Sequence, residues 1–179
     1  MAKENTLQYV LLGLLAKQDL TGYDIKKLFA QEVGDFWCAR HSQVYPELRK
    51  LEESGQITSY TGTVGTKLQK KYYRLAPAGE KRLQDWLSQP LGTLMPTRDE
   101  FTMKLYLIRS RKDPQLRQLF QEDIRRHEEH LAHLRLRWQL LFPTQKAQEK
   151  DWGHALILQE AIQRETRKLE WEKKQLAEI

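Results

Sequence analysis

Between Ser54 and Gly79 the chain carries Lys67, Lys70, Lys71 and Arg74 and no acidic residue, whereas most of the remaining sequence intersperses both signs. A run of cations of this kind is suited to phosphate oxygens, and affinity gained through such contacts falls steeply with salt. The plain alternative is structural: lysines on an exposed strand keep its edge from pairing with other chains. Just upstream stand Arg40, His41, Ser42, Gln43 and Tyr45. Arg can read guanine and Gln adenine, while Ser or Tyr can hold a phosphate, the more so at a helix start, where unpaired amides favour anions. For each of these residues a helix cap or a packed ring is the competing role, and Tyr45 in particular can belong to a core.

Catalysis has no visible constellation. GxSxG, GxxxxGKS and GxGxxG are all missing from the sequence, and with them the usual means of activating a serine or cradling phosphates. His127, His130 and His133 are spaced by three on one predicted helix, so they rotate around its axis, and no HExxH pattern or cysteine cluster accompanies them. No metal, no other cofactor and no enzymatic activity are expected. His154, after Trp152-Gly153, opens a helix beside a short loop; a capping or packed imidazole competes there with a ligand contact.

The elements that must position these residues follow from periodicity. Thr6 to Ala16 predicts a helix that is apolar on more than one side and needs cover all round; Gly13 within it suggests a close helix crossing. Thr21 caps a second helix running from Gly22 to about Val33, and a third runs from about Ser42 to Ser54, with Val44, Leu48 and Leu51 on one stripe and Gly55 at its stop. The period then changes. Ile57–Tyr60 and Lys67–Leu75 read as two strands joined by a turn-rich segment, followed by a helix to Leu87. Three helices, a hairpin and a helix are the order of a winged helix-turn-helix domain, placed at residues 1–89.

Residues 90–97 read as a linker, and 98–179 as wholly helical. Asp99–Ser110 is expected as one helix, and a long one starts at Asp113 or Pro114 and runs to Phe142. Leu116, Phe120, Ile124, His127, Leu131, Leu134, Trp138 and Leu141 form a heptad seam along it that asks for a partner helix, expected from a second copy of the chain. The last helix, from Asp151, has the stripe Ala155, Leu158, Ile162, Leu169 and Leu176, interrupted by Glu165 and Glu172. The fold class is therefore mainly α: a winged helix-turn-helix domain followed by an α-helical dimerisation domain.

A chain of 179 residues with 40% hydrophobic and 30% charged residues can bury a real core and is not disordered throughout. Its net charge of +6 favours a polyanionic partner. The single cysteine, Cys38, suits a reducing compartment. The apolar stretch Tyr9–Ala16 is too short to span a bilayer, and no cleavage site follows it, so a cytoplasmic protein without membrane attachment is expected.

Leu11-Leu12-Gly13-Leu14-Leu15, Thr21-Gly22-Tyr23-Asp24-Ile25, Phe36-Trp37, His41-Ser42-Gln43-Val44-Tyr45-Pro46-Glu47-Leu48, Leu51-Glu52, Gly55 and Lys71-Tyr72-Tyr73-Arg74-Leu75 resemble the signature of PadR-type transcriptional regulators. Asp99-Glu100-Phe101, the long helix and Asp151-Trp152-Gly153-His154 resemble the helical dimerisation domain of that family's first subfamily. The resemblance is strongest to its phenolic-acid-responsive members. It implies a homodimeric repressor of phenolic-acid decarboxylase genes, bound to operator DNA and released by phenolic acids such as p-coumarate or ferulate. Other members respond to planar aromatic drugs held at the dimer interface, which is the alternative.

On this reading Arg40, His41, Ser42, Gln43, Tyr45, Lys67, Lys70 and Lys71 meet DNA, and Leu11, Leu131, Leu134, Trp138 and Ile162 are expected at the dimer interface. A phenolic carboxylate needs an apolar slot and a cationic or hydrogen-bonding partner, for which Trp37, Phe101, Arg40, Lys104 and His154 are the candidates.

Overall fold

A computed structural model of the chain describes residues 5–31, 33–35, 41–64, 68–93 and 99–179. They fall into two compact units, Met1–Thr93 and Leu94–Ile179. In the first the order is α1 (Thr6–Lys17), β1 (Leu20–Thr21), α2 (Gly22–Gln31), a single 3-10 turn at Val33–Asp35, α3 (His41–Glu53), β2 (Ile57–Val64), β3 (Leu68–Leu75) and α4 (Pro77–Leu87).

The many-sided apolar surface of α1 finds its cover. Leu7, Tyr9, Leu11, Leu12 and Leu15 are buried, with α3, α4 and β3 packed around the helix. The Tyr9 ring lies flat on Trp86 of α4, centroids 4.5 Å apart. Leu11 is fully buried in this core, which corrects its expected place at a dimer interface. Gly13 does not mark a close crossing either, since a Cβ there would meet nothing within 4 Å.

At the start of α2 the Thr21 hydroxyl accepts from the Asp24 amide, while the Asp24 carboxylate accepts from both the amide and the hydroxyl of Thr21. This reciprocal cap fixes the entry of α2. At the far end of α3, Gly55 adopts φ of 69°, the left-handed geometry that stops a helix and that other residues enter at a cost.

The sheet is antiparallel with the order β1-β3-β2. β2 is longer than the pattern predicts: Thr61 to Val64 pair with Lys71 to Leu68 and belong to the hairpin, not to its turn. β1 is a two-residue strand on the other side of β3, and it has no periodicity to announce it.

The second unit contains α5 (Glu100–Leu107), α6 (Pro114–Leu141), α7 (Gln145–Lys150) and α8 (Trp152–Glu178). Asp99 caps α5, its carboxylate accepting from the amides of Phe101 and Thr102, and Ile108 leaves it in an extended conformation, three residues short of the expected end. Asp113 caps α6, with Pro114 in its first turn. The α6 seam is covered from within the chain. Leu134 packs with Ala155, Leu158 and Ala161, Ile124 and Leu131 with Leu169, and Leu116 and Phe120 are closed off by Leu176 and Ile179, so α8 runs antiparallel along the whole of α6. Leu131 and Leu134 are thus filled by their own chain and do not wait for a second copy, because an apolar stripe specifies that it must be covered and not by which chain. Among the described residues no helix is long and apolar enough to cross a membrane.

Candidate functional site

α3 is amphipathic. Val44, Leu48 and Leu51 anchor it in the core, which turns Ser42, Gln43, Tyr45, Pro46 and Arg49 outward. Ser42 and Gln43 therefore stand exposed in the first turn, where the amides of His41 to Val44 have no partner within the helix. Pro46 adds an acceptor to this end: it has no N–H to give the Ser42 carbonyl. Tyr45 is not a core residue. It is 54% exposed, and its ring lies over Gly22 at the start of α2, where a Cβ would come within 2.5 Å of it. A side chain at position 22 would make the Tyr45 ring move aside.

The buried side of α3 is held by polar groups as well. Glu47 accepts from Gln8 Nε2 at 2.7 Å and from Lys50 Nζ at 2.8 Å. Burial opposes its charge, but these hydrogen bonds outweigh it and hold the carboxyl below the usual glutamate range. Gln8 in turn accepts from Arg82 of α4, whose other nitrogen reaches Gln56 and whose guanidinium covers the Tyr9 ring. The relay ties α3 to α1 and α4.

On the hairpin, the alternation of a strand puts Lys71 on the same face as buried Tyr73, and Lys70, Tyr72 and Arg74 on the other. Lys71 is paired within the protein. Its ammonium is 2.8 Å from Glu52 of α3, an ion pair that raises the lysine's pKa and lowers the glutamate's. Arg74 is likewise engaged, donating through Nε and Nη2 to Asp19, which also accepts from the Tyr60 hydroxyl; the Arg74 bonds hold Asp19 low. Lys70 sits opposite Gly62, and its charge helps to keep Asp24 ionised. The outward cations of the hairpin are thus fewer than the sequence count suggests. Tyr23, 69% exposed, with Lys26 and Lys27 adds to the polar surface of α2 beside Tyr45; the amphipathic pattern of α2 is the signal that could have found them. Arg40 and Lys67 lie outside the described residues, as does the side chain of His41.

The residues expected to hold an effector are not brought together within the second unit. Phe101 is buried edge-to-face on Phe120, among Leu116, Leu176 and Ile179. His154 is at the opposite end of the α6–α8 pair, edge-to-face on Phe142, with Nδ1 3.4 Å from Asp151 Oδ2. From Phe120 to Phe142 the rise along α6 is roughly 33 Å, so one chain cannot close Phe101 and His154 around a single small ring. Lys104 is exposed and paired with Glu100 at 2.7 Å. Trp37 lies outside the described residues. Trp138 and Ile162 remain half-buried and line, with Arg135, Gln139, Gln159 and Gln163, an open cleft of about 370 Å³.

Comparison with known proteins gives these features a setting. Residues 11–85 match the transcriptional regulator PadR-like family, and residues 97–179 match the family described as virulence activator alpha C-term. The negative transcriptional regulator PadR of Bacillus subtilis is 38% identical over 176 residues, 97% of each chain. The crystal structure of Bacillus subtilis PadR in complex with operator DNA matches with a TM-score of 0.86 at 37% identity over 99% of both chains. That of the same regulator in complex with p-coumaric acid matches with a TM-score of 0.83 at 36% identity, over 97% of this chain and 98% of that one.

Proposed function

The chain belongs to the PadR-like family of transcriptional regulators, and on that premise we propose that it is a cytoplasmic, homodimeric repressor of phenolic-acid stress-response genes, released from its operator by phenolic acids such as p-coumarate. The observation that carries the reading is the near full-length likeness to a negative regulator solved both on operator DNA and with p-coumaric acid. The polar, outward first turn of α3 supports it from the molecule itself. Gln43 and Ser42 meet base edges there, and Lys70 and the helix amides meet phosphates.

Two exposed apolar strips, Leu136 and Leu140 on α6 and Trp152, Leu156 and Ile157 on α8, support pairing with a second copy. In the dimer the two α3 helices address half-sites about 34 Å apart, one turn of DNA. The acid acts by population shift, preferring a dimer state in which that spacing is lost, and a near-complete switch needs a preference of several kcal/mol. His154 is the proposed polar contact for its carboxylate.

A footprint of the purified protein on the DNA upstream of its own and neighbouring genes, followed by titration of the complex with p-coumarate, tests the reading. Sequence-specific protection relieved by the acid is expected; binding without sequence preference overturns repression at an operator. His154→Ala is expected to keep operator affinity and to need at least tenfold more acid for release. Equal release concentrations would remove His154 from the site. Release by planar aromatic drugs and not by phenolic acids would favour the cleft at Trp138 and Ile162 as the effector site.

A further inference from the structure

The α6–α8 seam is apolar at both ends and charged in its middle. Asp123, Glu165 and Glu172 are 3%, 5% and 0% exposed, three carboxylates taken almost completely out of water. His127 stands among them. Its Nδ1 is hydrogen-bonded to Glu165, and its Nε2 lies 3.5 Å from Asp123 Oδ2. A carboxylate that accepts from Nδ1–H fixes the imidazole tautomer and turns the Nε2 lone pair outward, as in the second shell of histidine metal ligands. Here Nε2 faces a carboxylate oxygen, an approach that needs a positive charge at the site: an imidazolium donating through both nitrogens, or a metal ion held by Nε2 and the carboxylates.

One ligand atom each from Asp123, His127 and Glu172 lies within 4.8 Å of the other two. Asp123 Oδ2 and both Glu172 oxygens are buried and receive no well-directed hydrogen bond. Lys168 faces these same oxygens: its ammonium is 2.9 Å from Glu172 Oε1 and 3.7 Å from Asp123 Oδ2, at the end of a side chain that is 28% exposed. The other neighbours face different atoms: Arg126 bonds Asp123 Oδ1, and His130 and Arg164 approach Glu165 Oε1.

We propose that Asp123, His127 and Glu172 form a site for one divalent transition-metal ion such as zinc, which the Lys168 ammonium occupies in its absence and vacates by swinging toward solvent. Tetrahedral zinc, with bonds of about 2.0–2.2 Å, spaces its ligands roughly 3.4 Å apart, close to the separation of the histidine and aspartate atoms. One imidazole and two carboxylates suit zinc and its first-row neighbours better than calcium or magnesium, which take oxygen alone. Glu165 positions the histidine and is not a ligand. Two ligands come from α6 and one from α8, so the ion staples the seam, a role separate from DNA binding and from the phenolic-acid site.

The full-length protein, stripped with chelator, is titrated with zinc by calorimetry and followed by thermal unfolding; cobalt, whose visible spectrum reports coordination, is the second probe. One ion per chain, a raised Tm and a tetrahedral or five-coordinate cobalt spectrum are expected. His127→Ala should weaken zinc at least 100-fold, Glu165→Gln by 10–100-fold through the imidazole alone, and Lys168→Met should tighten it by removing the competing ammonium. Glu172→Gln keeps the shape of the seam and guards against a variant that fails to fold. No stoichiometric binding overturns the site. So does binding that survives His127→Ala and Glu172→Gln but is lost on His133→Ala, which would place the ion on the surface, and so does unchanged affinity in Lys168→Met.

Discussion

The two units solve the same problem with opposite interiors. In the first, α1 is wrapped mostly in aliphatic and aromatic side chains; two ion pairs, Asp19 with Arg74 and Glu52 with Lys71, sit at the rim of the sheet, and the one buried carboxylate among the described residues, Glu47, is satisfied by Gln8 and Lys50. In the second, the ends of the seam are apolar and its centre holds three buried carboxylates with a histidine and a lysine. A close-packed apolar core, with one fully bonded carboxylate in it, fixes α3 against α1, as a surface that reads DNA requires. A seam with buried ions forfeits part of its stability, since paired charges seldom repay their desolvation, and becomes sensitive to whatever binds or displaces a cation there. The contrast teaches that the first unit is built to hold a shape and the second to respond.

The largest effects should fall on the two cores. Leu48→Ala in the first unit and Leu134→Ala in the second each remove a fully buried side chain, at about 2–5 kcal/mol apiece. Hydrogen exchange is expected to locate the loss in α1 and α3 for Leu48→Ala and in α6 and α8 for Leu134→Ala. A Leu134→Ala protein that is folded normally but monomeric would return Leu134 to the dimer interface and break the comparison.

Smaller effects sharpen the division of labour on the reading surface. Gln43→Ala should cost about 1–3 kcal/mol at one base position per half-site and leave other positions alone. Lys70→Ala should weaken all sequences alike and lower the salt slope by roughly one. Lys71→Ala should do less to that slope, because its charge is already matched by Glu52. Binding titrations at several salt concentrations on matched and single-substituted operators measure all three, and a Lys71→Ala slope change equal to that of Lys70→Ala would contradict the pairing.

The smallest concerns the α2 cap. The Thr21 hydroxyl and amide hold Asp24 below its usual pKa of 3.8. A carboxyl with a lowered folded pKa contributes stability that is complete above its unfolded value and fades as the pH falls through the folded one. Asp24→Asn should therefore lower the stability at pH 6 by about 1 kcal/mol, read as a lower Tm, and the difference from the parent should shrink below pH 4. A difference that stays constant down to pH 2.5 would mean the carboxylate charge plays no part.

Much of this architecture is legible in sequence because helices longer than ten residues repeat their pattern several times. α1, α3 and α6 are within a residue or two of their expected bounds. What escapes is short or depends on distant residues. β1 has two residues, and α7 has six and buries none of them. The partner of the α6 seam is misread because Glu165 and Glu172 break the stripe on α8, and only the fold shows that His127 and Lys168 meet them. The same holds at the site. Gln43 and Ser42 stand where the third helix predicts, but the pairing of Lys71 with Glu52 spans 19 residues. The three-residue spacing of the α6 histidines likewise gives no hint that Glu172 approaches from another helix.

The antiparallel seam also sets a schedule for synthesis. Phe101, Leu116 and Phe120 are covered by Leu176 and Ile179, so this apolar cluster stays open to water until residues more than 50 positions downstream have left the ribosome. All elements of the winged-helix unit lie upstream of residue 94, and it can fold while the second half is still being made. For that interval the nascent chain presents a finished reading head beside an uncovered aromatic surface, the kind of exposure that chaperones recognise and that crowding on a polysome turns into aggregation.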